Sequence, residues 1–325
     1  MGVASLSAVQ STRGEAHGDS SVDVIIPTRN RPALTLEAIE SVRRQTFQNW
    51  HLYVVDDASD DDTAEQVANA ARHDDRIVVV RRTRQGGSNA ARQTGFEHAS
   101  AALVAILDSD DLWVPHKLET QLARWNEERR LGRHLGVVVC RHAYTDLDGR
   151  RLFGPLPPRR SSRLWTPFTI YNTSTPLMSR AALERAGGFH PPGHPRFCTT
   201  DHIDLYLRLT RQHPVAVVPE VLVRCRHHAG ERNSDHQGTA AAAQEAACLL
   251  LLHGDVLAAD RRQRAWLRGC VGGRYLAAGY FAEGVKQLRG ALHEGGVLAG
   301  SQMCMHYGPL GLRCLLRRSG VSRRA

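Results

Sequence analysis

Lysine is scarce in this chain: among 42 Lys and Arg residues only Lys117 and Lys286 are lysines. No stretch reaches the roughly 18 apolar residues that a membrane span requires. The nearest candidate, residues 246–252, is short and flanked by Gln244, Glu245 and His253. No Cys-x-x-Cys pair occurs among Cys140, Cys198, Cys225, Cys248, Cys270, Cys304 and Cys314. An odd number of cysteines in mainly apolar surroundings reads as reduced core residues of a cytosolic protein without a zinc site. The N-terminus lacks the basic-then-apolar order of a signal peptide. No Gly-x-Gly-x-x-Gly follows the first apolar run, which argues against a Rossmann dinucleotide site, and no Gly-x-x-x-x-Gly-Lys-Ser/Thr marks a P-loop.

The 325 residues suffice for one large domain or two smaller ones, with 42% hydrophobic and 23% charged residues. A net charge of +9 attracts phosphorylated small molecules, nucleic acid or an anionic membrane without choosing among them. Residues 1–20 are small and polar and read as a disordered lead-in. Apolar runs at 22–27, 51–55, 76–80 and 103–107 alternate with helical periodicity, as in parallel βαβ units with right-handed crossovers. Each run ends in polar groups: Thr28-Arg29-Asn30, Asp56-Asp57, residues 84–89, and Asp108-Ser109-Asp110-Asp111. In a parallel sheet those ends share one edge, where open α/β folds place their ligands. Two carboxylates separated by Ser109 can turn toward a hard divalent cation, and such a cation can take its other ligands from phosphates. An acidic turn or helix cap accounts equally well for any one of these groups alone.

Further on, a helix after Trp113 carries Leu118, Leu122 and Trp125, and 137–140 reads as a strand. Residues 148–168 read as a Pro- and Arg-rich loop. A strand is expected near 174–178, a short helix at 180–186 stopped by Gly187-Gly188, and a loop at 190–198. A helix follows at 201–209, then short strands at 215–218 and 221–226. From 237 onward the pattern is helical. The last helix, apolar at Leu310, Leu312, Leu315 and Leu316 and basic at Arg313, Arg317 and Arg318, suits core packing, or else a membrane surface or partner.

With these residues assembled, the chain resembles the inverting family-2 glycosyltransferases with the GT-A fold, over roughly residues 22–234. That resemblance implies a Rossmann-like α/β architecture, mostly parallel and flanked by helices, here with a C-terminal helical extension. It implies a domain over 21–235, its nucleotide half at about 21–113 and its acceptor half at about 114–235, followed by the extension at 236–325. Pro27-Thr28-Arg29-Asn30 looks like the family's nucleotide-contacting loop, and Asp57 like the acid that accepts a hydrogen bond from a pyrimidine base. Asn89 and Arg92 lie in a segment similar to the family's helix near the base. Asp108-Ser109-Asp110 matches its Asp-x-Asp motif, implying ribose contact for Asp108 and Mg²⁺ or Mn²⁺ for Asp110. Asp111 and Trp113 follow the same pattern, toward acceptor or diphosphate. Arg226-His227-His228 with Ser234 resembles the loop closing over the diphosphate, with His228 a metal or phosphate ligand and Ser234 a phosphate contact.

One departure bears on the chemistry. The family's Glu-Asp-x-Asp-Leu stands here as Asp201-His202-Ile203-Asp204-Leu205. Anchored on Asp204-Leu205, the family's catalytic Asp falls on His202 and its Glu on Asp201. Asp201 is favoured as the general base by chemistry and family habit, with His202, whose imidazole titrates closer to neutral pH, close behind. The implied reaction is inverting displacement on a nucleotide-diphosphate sugar, with UDP or dTDP favoured. The acceptor is a hydroxyl or amine of a saccharide, a lipid-linked glycan or a small natural product, and the enzyme is cytoplasmic or peripheral at the inner membrane face. Two rivals stand beside it. A sugar nucleotidyltransferase wants a Gly-rich loop where Thr28-Arg29-Asn30-Arg31-Pro32 stands. A basic binder of nucleic acid or membranes wants clustered charge, whereas the arginines are scattered without interleaved aromatics.

Overall fold

The computed structural model describes residues 21–156, 172–191, 197, 201–228, 240–259 and 261–294. Residues 1–20, Ser234, most of the loop at 148–168 and the helix expected around 310–318 lie outside them.

A nine-stranded sheet forms the body, in the order β3-β2-β1-β4-β8-β6-β9-β5, with β7 beside β6. Its first half is parallel: β1 (Val22–Thr28) lies between β2 (Trp50–Asp56) and β4 (Leu103–Ile106), and β3 (Ile77–Arg81) pairs with β2. Every residue of β1 and β4 is buried, as expected of strands covered on both faces. The helices α1 (Pro32–Arg43), α2 (Thr63–Ala71) and α3 (Ser88–His98) make the crossovers. Pro32 opens α1, where its missing N–H costs nothing. Gly95 lets α3 approach the sheet, since a Cβ there would lie 2.5 Å from Ile25 Cγ2. Chain order reverses at β1 and β4, so the crevice of an open α/β sheet lies beyond their carboxyl ends.

The second half is mixed. It holds β5 (Asp111–Trp113), α4 (Lys117–Arg130), β6 (Val137–Thr145), β7 (Arg151–Leu156), β8 (Leu177–Ser179), α5 (Arg180–Arg185), α6 (Asp201–Thr210) and β9 (Val215–Arg226). Three local expectations change. Residues 151–156 form β7 on β6 instead of a loop. The two short strands at 215–226 are one continuous strand, because Pro219 and Glu220 are absorbed as a register shift against β6. Asp111–Trp113, unassigned by its short pattern, is a strand because β9 supplies its partners.

The C-terminal helices α7 (Ala240–Leu252), α8 (Gly254–Ala259) and α9 (Arg261–Ala278) pack on α6, and α10 (281–294) lies against α9, where Arg264 Nε donates to Glu294 Oε2 at 3.0 Å. Ile203 and Leu207, one turn apart on α6, share an apolar cluster with Leu249, Leu257, Leu267 and Cys270. A polar tie crosses the same contact: buried His253 Nε2 lies 2.9 Å from Asp204 Oδ1, while Arg208 Nε donates to Asp204 Oδ2 at 2.9 Å. Arg208 Nη1 in turn donates to the carbonyls of Ala186 and of Gly188, the latter at 2.8 Å. The extension expected from residue 236 thus builds its core against α6. No helix among the described residues is long and apolar enough to cross a membrane.

Replacing His253 by Ala takes one partner from a buried carboxylate. The expected loss is about 1–3 kcal/mol, read as a lower urea midpoint with unchanged slope. His253→Gln, which can still donate to Asp204, should recover part of it.

Candidate active site

The turn after β4 carries the acids that the sequence singles out. Asp111 N donates to Asp108 O at 2.9 Å and closes the turn directly into β5. Ser109 is buried within it. Asp108 faces α3, where its Oδ1 accepts from Arg92 Nη2 at 2.8 Å. Its Oδ2 accepts from the Thr173 hydroxyl, and its backbone N donates to Ser174 Oγ at 3.0 Å.

Arg92 connects the two halves of the site. Its Nη1 donates to Asp201 Oδ2 at 2.8 Å and to Asn89 Oδ1 at 3.2 Å. Burial works against its charge, but Asp108 and Asp201 more than reverse that, so the guanidinium stays protonated. Burial by itself would raise the Asp201 carboxyl, yet the hydrogen bond with His202 and the charge of Arg92 hold it below the ordinary carboxylate value. Both Asp201 oxygens are engaged: Oδ2 by Arg92, and Oδ1 by the backbone N of His202 at 2.9 Å and its Nδ1 at 3.3 Å. The His202 side chain is 20% exposed against 6% for Asp201. Its Nε2 has no hydrogen-bond partner among the described residues.

Asp110 and His228 converge although they are 118 residues apart in sequence. His228 Nε2 lies 3.1 Å from Asp110 Oδ2, and Arg31 Nη1 donates to that same oxygen at 2.9 Å. Arg226 fixes the approach of β9: its Nε donates to the Asp110 carbonyl at 2.6 Å and its Nη1 pairs with Glu37. Among the described residues no group of three His, Cys, Asp or Glu side chains gathers as a protein-only metal site. Two ligands with room for phosphate and water are instead what Mg²⁺ or Mn²⁺ uses beside a nucleotide.

Other expected site residues take supporting positions. Asp111, expected toward acceptor or diphosphate, is buried and accepts from Ser174 Oγ at 2.7 Å, Asn172 Nδ2 at 2.9 Å and Arg226 N at 3.3 Å. Burial first, then the Asp110 and Asp108 carboxylates, push it up to about 8 against the Ser174 and Asn172 hydrogen bonds. Trp113 is likewise buried, donating Nε1 to Ser174 O at 2.9 Å, with Lys117 Nζ 4.0 Å from its ring centroid. Asp57 accepts from Arg82 Nη1, Gly86 N and, at 2.7 Å, Gly87 N, so the loop before α3 fills the carboxylate expected to face a base. Pro27 and Thr28 lie within β1, where Thr28 Oγ1 meets Thr35 Oγ1 at 2.6 Å. Asn30 adopts φ 51°, which Asn tolerates, and ties the first loop to the second by donating its backbone N to Ser59 Oγ and accepting from Asp60 N. Arg29 pairs with Asp60 at the surface.

Sequence reasoning missed Arg31, Arg82 and the run Asn172-Thr173-Ser174. That polar run, set just before an apolar strand, is the same signal that marked the other strand ends.

Residues 23–186 match the family model described as Glycosyl transferase family 2. Over 105 residues the chain is 38% identical to the UDP-Glc:alpha-D-GlcNAc-diphosphoundecaprenol beta-1,3-glucosyltransferase WfgD of Escherichia coli, covering 32% of this chain and 41% of that protein. Over 107 residues it is 36% identical to the GalNAc(5)-diNAcBac-PP-undecaprenol beta-1,3-glucosyltransferase of Campylobacter jejuni, covering 33% of this chain and 35% of the relative. The chain therefore spans less than half the length of these two relatives. Two solved structures share the fold. One is S. aureus TarS 1-349 in complex with UDP-GlcNAc, at TM-score 0.56 and 16% identity over 83% of this chain and 89% of that one. The other is the mannosyltransferase PcManGT from Pyrobaculum calidifontis in complex with GDP-Man and Mn²⁺, at TM-score 0.56 and 20% identity over 90% and 84%.

Arg92→Met leaves the buried carboxylate of Asp201 and the half-buried one of Asp108 without their cation. Its expected cost is about 3–5 kcal/mol, measured by urea unfolding at pH 7. Because the folded Asp201 carboxyl lies below its unfolded value, its contribution is present above ordinary carboxylate pH and is lost as pH falls through the folded value. That acid-range loss should shrink in the variant.

Proposed function

Because the chain belongs to glycosyl transferase family 2, we propose that it transfers a sugar with inversion from a nucleotide diphosphate, UDP or dTDP favoured, to an acceptor hydroxyl or amine. The observation that carries the reading is the meeting of Asp108, Asp110, His228 and the Asp201–His202 turn around Arg31 and Arg92, at the edge where open α/β sheets hold ligands. Asp110 and His228 would hold Mg²⁺ or Mn²⁺. When bound, that ion would offset the negative charge that develops on the leaving diphosphate.

The chain's own residues supply the rest. Asp108, fixed by Arg92 and Thr173, is turned toward the donor ribose. Asp57 holds the Gly86-Gly87 turn and so shapes the base pocket through backbone groups. Asp111 and Trp113 anchor the turn beneath the donor. The general base is His202: its Nε2 takes the proton of the acceptor hydroxyl, while Asp201 orients the ring from the Nδ1 side. Asp201, with both oxygens engaged and its proton affinity lowered, is the poorer base in this arrangement. The relatives' names place their acceptors on diphosphoundecaprenol, and we extend that class to this chain: a saccharide on a lipid-linked diphosphate, met at a membrane surface.

A thermal-shift panel of UDP, dTDP and GDP, each with and without Mn²⁺, tests the donor site. One diphosphate should stabilise the protein only with the metal, and Asp110→Asn should abolish the shift. Absence of any shift across the panel would overturn the reading. The base assignment is tested separately with the donor so identified and a diphosphoundecaprenol-linked saccharide. His202→Asn should lower kcat by about 10²–10⁴-fold with diphosphate binding retained. Equal kcat loss in Asp201→Asn, with His202→Asn active, would return the role to Asp201.

A further inference from the structure

The last described helix, α10, is seated on one face and bare on another. Gly284 and Ala291 are buried. A Cβ on Gly284 would lie 2.6 Å from Leu276 Cγ and 3.1 Å from the Gly272 carbonyl oxygen, so α10 meets α9 at a contact that only glycine permits. Glu294 pairs with Arg264 and with Arg268 of the same neighbour, the second at 3.4 Å. These contacts fix which side of α10 faces outward.

The outward side carries an apolar stripe with a basic flank. At helical spacing Phe281, Val285 and Leu292 fall within about 40° of one another around the axis. They are 61%, 40% and 48% exposed, and Tyr280 just before the helix is 52% exposed. Single exposed apolar side chains are ordinary, but several in one stripe mark a surface that meets something. Next around the helix stand Arg289, His293 and Lys286, all exposed. Phe281, Val285, Lys286 and Arg289 line one open hollow, so the apolar and basic groups form a continuous face. Exposed Glu283 falls on the side away from the stripe. Beyond the helix, residues 295–325 hold five arginines and no Asp or Glu, so the sequence around this face is strongly basic.

We infer that this face of α10 docks on an anionic lipid surface. Phe281, Val285 and Leu292 enter the boundary between headgroups and acyl chains, and Lys286 and Arg289 meet lipid phosphates. A helix of 14 residues is about 21 Å long, short of the ~30 Å hydrocarbon core, so it lies in the interface and does not cross it. A second copy of the chain fits this face less well. A stable dimer buries about 800 Å² on each partner, far more than one stripe of four side chains offers, and a two-fold contact would bring two basic flanks together. The inference goes beyond the transferase reading by naming the part of the chain that meets a membrane, and its observations are independent of the nucleotide site.

Vesicle co-sedimentation of the full chain tests it. Wild type would be mixed, without nucleotide, with vesicles of phosphatidylcholine alone or with phosphatidylglycerol added, at low and high salt. Binding should need phosphatidylglycerol and fall as salt rises. Two double variants, Phe281→Ser with Leu292→Ser and Lys286→Gln with Arg289→Gln, should each bind about tenfold more weakly or worse. Phe281→Trp, which keeps an aromatic ring at the interface, should bind at least as well as wild type. All substitutions are at exposed positions, and thermal unfolding would establish that each variant is folded. No binding of wild type to the anionic vesicles overturns the inference. So does binding that neither double variant weakens, since the contact then lies elsewhere. A dimer that Phe281→Ser with Leu292→Ser dissociates, in a chain that ignores vesicles, makes a second copy the occupant. Because no nucleotide is present, each of these results stands whatever the diphosphate panel shows.

Discussion

The buried guanidinium of Arg92 lies between Asp108, at the end of a central strand, and Asp201, at the start of α6. These carboxylates are 93 residues apart in sequence and come from different halves of the sheet. Without a cation between them, the buried charge of Asp201 and the half-buried charge of Asp108 would repel. With it, the turn after β4 and the start of α6 are joined by hydrogen bonds of 2.8 Å on both sides. Arginine suits this task where lysine does not, since its planar fork presents donors to two partners at fixed angles. The scarcity of lysine in the whole chain has this local counterpart at Arg31, Arg82, Arg92 and Arg226, each of which bridges segments near the crevice.

The same helix is held from its other side by residues that lie beyond the matched family region. His253 reaches Asp204, Arg208 joins Asp204 to the Gly188 carbonyl, and Ile203 and Leu207 bury against α7 to α9. The turn carrying Asp201 and His202 is therefore set by Arg92 on one flank and by the C-terminal helices on the other. In this arrangement the extension helps fix the start of α6.

Much of this was legible in residue order. The apolar runs gave β1 to β4 their places because strands buried on both faces must be continuously apolar. The polar groups after each run lay on one edge because parallel strands point the same way. The family likeness at Asp108-Ser109-Asp110 and at residues 226–228 brought the two ends of the crevice together in expectation, and the structure sets His228 3.1 Å from Asp110. Less legible were features that depend on a partner distant in sequence. Three residues at 111–113 have too short a pattern to declare a strand, and only β9 makes them one. Asp57 and Asp111 look like free acids in a string of letters, yet backbone amides and hydroxyls from other loops already occupy them.

The sequence by itself determined which polar side chains gather at the crevice edge, because strand polarity and apolar periodicity are local properties that the chain cannot evade. It left the choice between Asp201 and His202 open, since both side chains are competent bases and they are neighbours. Tertiary structure decided how the two are presented. A guanidinium from another helix binds one and leaves the Nε2 of the other unbonded among the described residues, and proton affinity follows the charges that folding brings close, whatever their separation along the chain.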